Sequence, residues 1–61
     1  MNYPELLKKY REIMFLSQED LAQKLGISYV TVNRWENGKF KPTIKMKKKL
    51  YSIFKKAGLV E

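Results

Sequence analysis

Sixty-one residues form one domain at most, because a chain this short is near the lower limit for a self-sufficient core. Thirteen Lys and Arg against six Asp and Glu leave a net charge of +7 and a pI of about 9.8, so the expected partner is an anionic polymer or surface: nucleic acid first, anionic membrane second. With no Cys and no His the chain lacks disulfides, thiolate nucleophiles, ordinary zinc ligands and imidazole bases, and most enzyme classes go with them.

No apolar run approaches the roughly 18 residues of a membrane span, and the opening stretch MNYPELLKKYREIMF is broken by charges throughout. Neither a span nor a secretion signal is expected. A hydrophobic content of 44% with 13% aromatics is ample for a small helical core.

Helix 1 is predicted from Tyr3 to Met14. Asn2 with Glu5 three positions on fits an N-cap, and Pro4 is tolerated inside a first turn. Leu6, Leu7, Tyr10, Ile13 and Met14 recur at three and four, which makes them the expected core face. Ser17 followed by Asp20 caps helix 2, which begins at Gln18, with Leu16 and Leu21 as a hydrophobic staple. This helix buries Leu21, Ala22 and Leu25 and stops at Gly26, with Ile27 folding back on Ala22.

Ser28 caps helix 3, again with a staple pair, Ile27 and Val32. A connection this short makes helices 2 and 3 a helix-turn-helix. Helix 3 reaches about Asn37 and stops at Gly38. After the loop Lys39 to Pro42, Thr43 caps a fourth helix running to Ala57, with Met46, Leu50, Ile53, Phe54 and Ala57 as its apolar stripe. Gly58 ends it, with Leu59 placed to contact Phe54. No segment alternates with period two, so the fold class is all-α, a compact bundle of four helices in a single domain over residues 1–61 with its helix-turn-helix core at 17–37.

Charge is divided along this plan. Residues 1–38 are neutral, whereas residues 39–61 carry eight lysines against one acid, Glu61. Such a basic tail suits docking to phosphates, although lysine-rich helix faces also serve solubility alone. On helix 3, Ser28, Val32 and Trp35 project into one narrow packing arc, and Tyr29, Val30, Asn33, Arg34 and Asn37 fill an opposite arc of roughly 140°. An ordinary polar surface would use Lys and acids, and this arc has neither. Its residue types match base edges in the major groove: Arg for guanine, Asn for adenine, an apolar side chain for the thymine methyl.

The stretch LSQEDLAQKLGISYVTVNRWENGKFKP, Leu16 to Pro42, resembles the phage-repressor and Cro-type helix-turn-helix family, often called Xre-like. The shared pattern is LSQ-x-x-LA-x-x-LG-[IV]-S, then [TV]-x-x-[WI]-E-x-G. The resemblance implies a lambda-repressor-like fold and a recognition helix in the major groove, with Tyr29, Val30 and Arg34 as base readers and Asn33 as a fourth. It implies that Gln18 grips the DNA backbone and braces the first recognition-helix residue. Asn37, Lys39 and Lys41 match a second phosphate-gripping segment, and Ser17 and Ser28 add phosphate contacts to their capping roles. Arg11 and Glu36 match a family pair read as a structural ion pair, and Trp35 is core. Typical members have five helices; here the fifth is missing or merged into helix 4, so the usual dimer surface is not visible, and Lys45, Lys47, Lys48 and Lys49 oppose self-association through that face.

The leading expectation is therefore a sequence-specific double-stranded DNA binder, a small transcriptional repressor or activator reading about four or five base pairs per subunit, with a homodimer on DNA as one arrangement. Its location would be cytoplasmic and nucleoid-associated. No cofactor, metal, membrane or small-molecule substrate is expected. One rival is the DNA-targeting N-terminal module of a larger DNA-modifying or DNA-processing protein; a start at methionine and a stop just past helix 4 suit either. Others are an antitoxin-like protein-binding module and a lipid-binding helix 4, whose apolar stripe is however needed for the core. Catalysis is not expected: Glu19 and Asp20 are explained by the dipole at a helix start, and the three glycines are isolated helix stops.

Overall fold

The computed structural model describes residues 2–61, which form α1 (Tyr3–Met14), α2 (Gln18–Leu25), α3 (Tyr29–Glu36) and α4 (Ile44–Lys56). Met1 lies outside the described residues. No strand occurs among them, and the all-α fold of four helices is as expected.

Each helix begins on a side chain that accepts from the backbone N–H three residues on. The Asn2 side chain takes Glu5 (3.3 Å), Ser17 takes Asp20 (3.0 Å), Ser28 takes Thr31 (3.2 Å) and Thr43 takes Met46 (3.3 Å). At α2 the Asp20 carboxylate returns the favour, accepting from the Ser17 N–H at 3.0 Å. The stops are also local. Gly26 turns left-handed at φ +71° and lets Ile27 N–H reach back to Ala22 O at 2.9 Å; at the end of α4, Leu59 N–H reaches Phe54 O at the same distance.

The end of α1 was not expected in this form. Phe15 sits at φ +57°, and Leu16 N–H bonds Arg11 O at 2.8 Å, the same backward bond with no glycine present. Left-handed backbone costs a non-glycine residue about 1–2 kcal/mol. Phe15 is also 94% exposed, so burial of its ring does not offset that cost.

The core takes Leu7 and Tyr10 from α1, Leu21, Ala22 and Leu25 from α2, Val32 and Trp35 from α3, and Leu50 and Phe54 from α4. Tyr10 meets Phe54 edge-on, ring centres 6.0 Å apart, tying α1 to α4. α3 packs against both α2 and α1. Truncating a fully buried residue such as Leu50 to Ala would cost about 2–5 kcal/mol, a large part of what a chain of this size has.

Two members of the expected helix 1 core face are not core. Ile13 and Met14 are 49% and 44% exposed. Met14 rims an open cleft of about 240 Å3 with Tyr10, Lys24, Ile53, Lys56 and Ala57 rather than packing under another helix. Ser28 likewise lies outside the packing arc of α3. It is exposed, because a cap residue has extended backbone (φ −79°, ψ 152°) and the helical phase does not extend to it. Asn37 caps α3 rather than continuing it.

Candidate nucleic-acid interface

Around α3 the helical phase separates two surfaces. Val32, Trp35 and Glu36 are buried; Tyr29, Val30, Arg34 and Asn37 are exposed, Tyr29 and Val30 each by 48%. Trp35 fills the space behind the helix and Val32 is sealed completely, so the outward arc is held by an anchored inner one.

The single acid of α3 does not face outward. Glu36 is 2% exposed in its side chain and accepts a forked pair of hydrogen bonds from Arg11 of α1, Nε to Oε2 at 2.6 Å and Nη2 to Oε1 at 2.8 Å. Arg11 Nη1 also donates to Leu16 O at 3.3 Å, so one guanidinium joins α1, the turn before α2 and the end of α3. The hydrogen bond to Glu36 is the main reason the Arg11 pKa is raised above its ordinary value, against the opposing effect of burial. The pair is a structural bridge that cancels a negative charge beside the exposed arc.

From Glu36 a line of amides runs outward. Gln18 Nε2 donates to Glu36 Oε1 (3.2 Å), Asn33 Nδ2 donates to Gln18 Oε1 (3.2 Å), and Asn37 Nδ2 donates to Asn33 Oδ1 (3.1 Å). Because Glu36 only accepts, each amide in turn has its orientation set by the one before it. Gln18 therefore braces Asn33 and Glu36; no bond from it to Tyr29 is seen. Asn33, half-buried, has its carbonyl and one N–H engaged within the fold.

The two serines cap their helices through their hydroxyls. The Ser17 hydroxyl holds Asp20 N–H, and the Ser28 hydroxyl holds Thr31 N–H and pairs with Thr31 Oγ1 at 2.9 Å. Hydrogen bonds from the Ser17 backbone N–H, and then from its hydroxyl, keep the Asp20 carboxyl below the usual carboxylate pKa. Lys39 and Lys41 stand exposed in the loop that follows α3. That loop is folded back by Gly38 (φ +72°), which allows Lys39 N–H to bond Arg34 O at 3.0 Å.

Three loop and helix contacts carry no signal in the periodicity. The Arg34 guanidinium carbon lies over the Phe40 ring, 5.2 Å from its centre. Lys49 Nζ donates to Leu25 O at 3.2 Å, closing the end of α2, and Lys47 lies over the Tyr3 ring at 6.0 Å. Two of the four lysines expected to repel along α4 are thus engaged within the fold. Only an aromatic between two lysines, Lys39-Phe40-Lys41, hinted at the first contact.

Among the described residues no helix is long and apolar enough to cross a membrane, and no group of three or more acidic residues could hold a metal ion. Residues 7–56 match the family described as Helix-turn-helix. A protein of Methanocaldococcus jannaschii named as an uncharacterized HTH-type transcriptional regulator is 46% identical over 48 residues, which cover 79% of this chain and 73% of that protein. A protein of the same description from Archaeoglobus fulgidus is 49% identical over 41 residues, 67% of this chain but 18% of its own length. A further Archaeoglobus fulgidus regulator is 31% identical over 48 residues, 79% of this chain and 68% of that protein. No solved structure matches the chain significantly.

Proposed function

This chain belongs to the helix-turn-helix family, and from that membership we propose that it binds double-stranded DNA sequence-specifically, α3 lying in the major groove, as a small transcriptional regulator of repressor type. The whole of residues 1–61 acts as one domain in this reading, with residues 17–37 as its helix-turn-helix core. Tyr29, Val30 and Arg34 read base edges, with Asn33 buttressed behind them by Gln18 and adding a contact through its remaining N–H. Asn37, Lys39, Lys41, Ser17, Ser28 and Gln18 meet the phosphates, positioning without specifying. Catalysis has no part in it, and its setting is the cytoplasm, at the nucleoid.

The observation that carries this reading is the outward arc of α3. An exposed tyrosine, a half-exposed valine and an exposed arginine stand on a helix whose only acid is buried and neutralised by Arg11. The loop lysines lie beside it and most of the surplus positive charge follows in α4. Selection of bound sites from a random duplex pool, repeated with Arg34→Ala, tests it: one position of the selected site should become degenerate in the variant. Failure to bind any duplex at low salt would move the reading to a protein-binding module.

A second reading is favoured by one comparison. Because the match occupies 18% of one Archaeoglobus fulgidus relative, the same fold is used inside a longer chain there. As such a module this domain would target a larger protein to DNA. The same selection, scored for one half-site or two, separates a lone module from a pair of subunits about one helical turn apart.

A further inference from the structure

We propose that Phe40 is a positioning residue for base readout: its ring is a shelf that holds the Arg34 guanidinium in place, so that docking of the Lys39–Lys41 loop on phosphates sets the pose of the base-reading arginine. The proposal rests on the reading of α3 as the DNA-recognition helix.

Phe40 is 58% exposed and is not part of the core, although it borders clefts shared with Tyr3, Pro4 and Pro42 and with Ile27, Trp35 and Met46. Its one charged partner is Arg34, 5.2 Å from the ring centre to the guanidinium carbon. Among the described residues Arg34 has no carboxylate within ion-pair distance, so the ring is its partner within the chain. The shelf is itself fixed at both ends. On one side the left-handed turn at Gly38 and the 3.0 Å bond from Lys39 N–H to Arg34 O bind the loop to α3; on the other Pro42 is buried.

A guanidinium that turns its face to an aromatic ring keeps the N–H groups at its edge free, and bidentate recognition of guanine uses that edge. In this proposal Arg34 gives its face to Phe40 and its edge to the base. A ring over one face also reduces the number of poses a long, flexible side chain must give up when it meets a base. Since Lys39 and Lys41 flank the ring, the residues proposed to meet the backbone and the residue proposed to meet the base are joined through Phe40.

The test uses the full chain and a duplex selected by it from a random pool. In the free protein, ring-current shifts should move the Arg34 side-chain protons upfield, and Phe40→Ala should abolish this. On DNA, Phe40→Ala should lower the preference for the correct base pair at the position read by Arg34 by about 2–5-fold, the size of an exposed cation–π contact. Binding to random duplex and the unfolding midpoint should stay unchanged. Phe40→Tyr should restore the preference, and Phe40→Ala should have no further effect in an Arg34→Ala background. The proposal is overturned if Phe40→Ala leaves that preference intact, weakens every sequence alike, acts equally without Arg34, or tightens binding, which would make the ring a restraint. If Arg34→Ala itself changes no base preference, the assignment of α3 fails and the shelf has nothing to aim. A changed preference in Arg34→Ala with none in Phe40→Ala overturns the shelf alone.

Discussion

Arg11 and Glu36, 25 residues apart in sequence, meet in a two-pronged contact of 2.6 and 2.8 Å with the carboxylate almost entirely removed from water. The acid at the end of α3 is thereby satisfied from α1, and Gln18 of α2 supplies a third donor. Three helices share one ionised group. The contact orients α3, and everything proposed for its outward arc depends on that orientation.

Arg11→Ala should destabilise the fold by about 3–5 kcal/mol, because it strands a buried carboxylate with one neutral donor. Arg11→Lys should recover only part of this, since an ammonium does not reproduce the fork. Replacing both residues by apolar ones of similar size should cost less than either single change. Urea unfolding of these variants, with each single apolar change alongside, checks the ordering.

Acid should weaken the start of α2. The Asp20 carboxyl has a lowered pKa in the folded chain, so its contribution is present above the ordinary value of 3.8 and is lost as pH falls through the folded value. Asp20→Asn should lower stability at neutral pH and remove that part of the acid-side slope, so that the two proteins converge at low pH. Urea midpoints measured from neutral pH down to about pH 2 for both proteins give the comparison, the carboxylate range being centred near 4.

Phe15→Gly should stabilise the chain. It relieves a left-handed residue at φ +57°, and the lost ring was 94% exposed. Allowing for the greater freedom of glycine in the unfolded chain, the gain should be about 0.5–1 kcal/mol, read as a higher unfolding temperature. A lower temperature would show that the ring contributes to the fold.

Arg34→Ala and Lys39→Ala should differ in kind. The first should cost about 1–3 kcal/mol at the preferred site and relax one base pair; the second should weaken all sequences alike and reduce the salt slope by about one. Binding isotherms over a salt series, on selected and random duplexes, distinguish the two. Even losses across all sequences for both would remove Arg34 from base readout.

The parts legible in the residues are those with short-range causes. Asn2, Ser17, Ser28 and Thr43 each cap a helix through a bond three residues long, and Gly26 and Gly58 stop helices through bonds five residues long. The outward side of α3 follows from 100° per residue, apart from Asn33, which is half-buried against Gln18. The end of α1 at Met14 is as read, but the left-handed form of its stop at Phe15 is not legible because no glycine marks it. Ile13 and Met14 have the right spacing for a core face, but spacing states only which side of a helix a residue is on, not whether anything lies opposite.

By itself the sequence determined four helices, their ends, the side of α3 that holds Trp35, and the concentration of positive charge after residue 38. The Arg11–Glu36 pair was implied by the family resemblance, and tertiary structure alone decided that its carboxylate is buried, that Gln18 is tied to Asn33 and Glu36, that two α4 lysines are used inside the fold, and that Arg34 rests on Phe40. The division has one physical reason. Caps and helical phase are properties of a few consecutive residues, whereas these contacts arise from how helices and loops settle against one another once the apolar faces have been withdrawn from water.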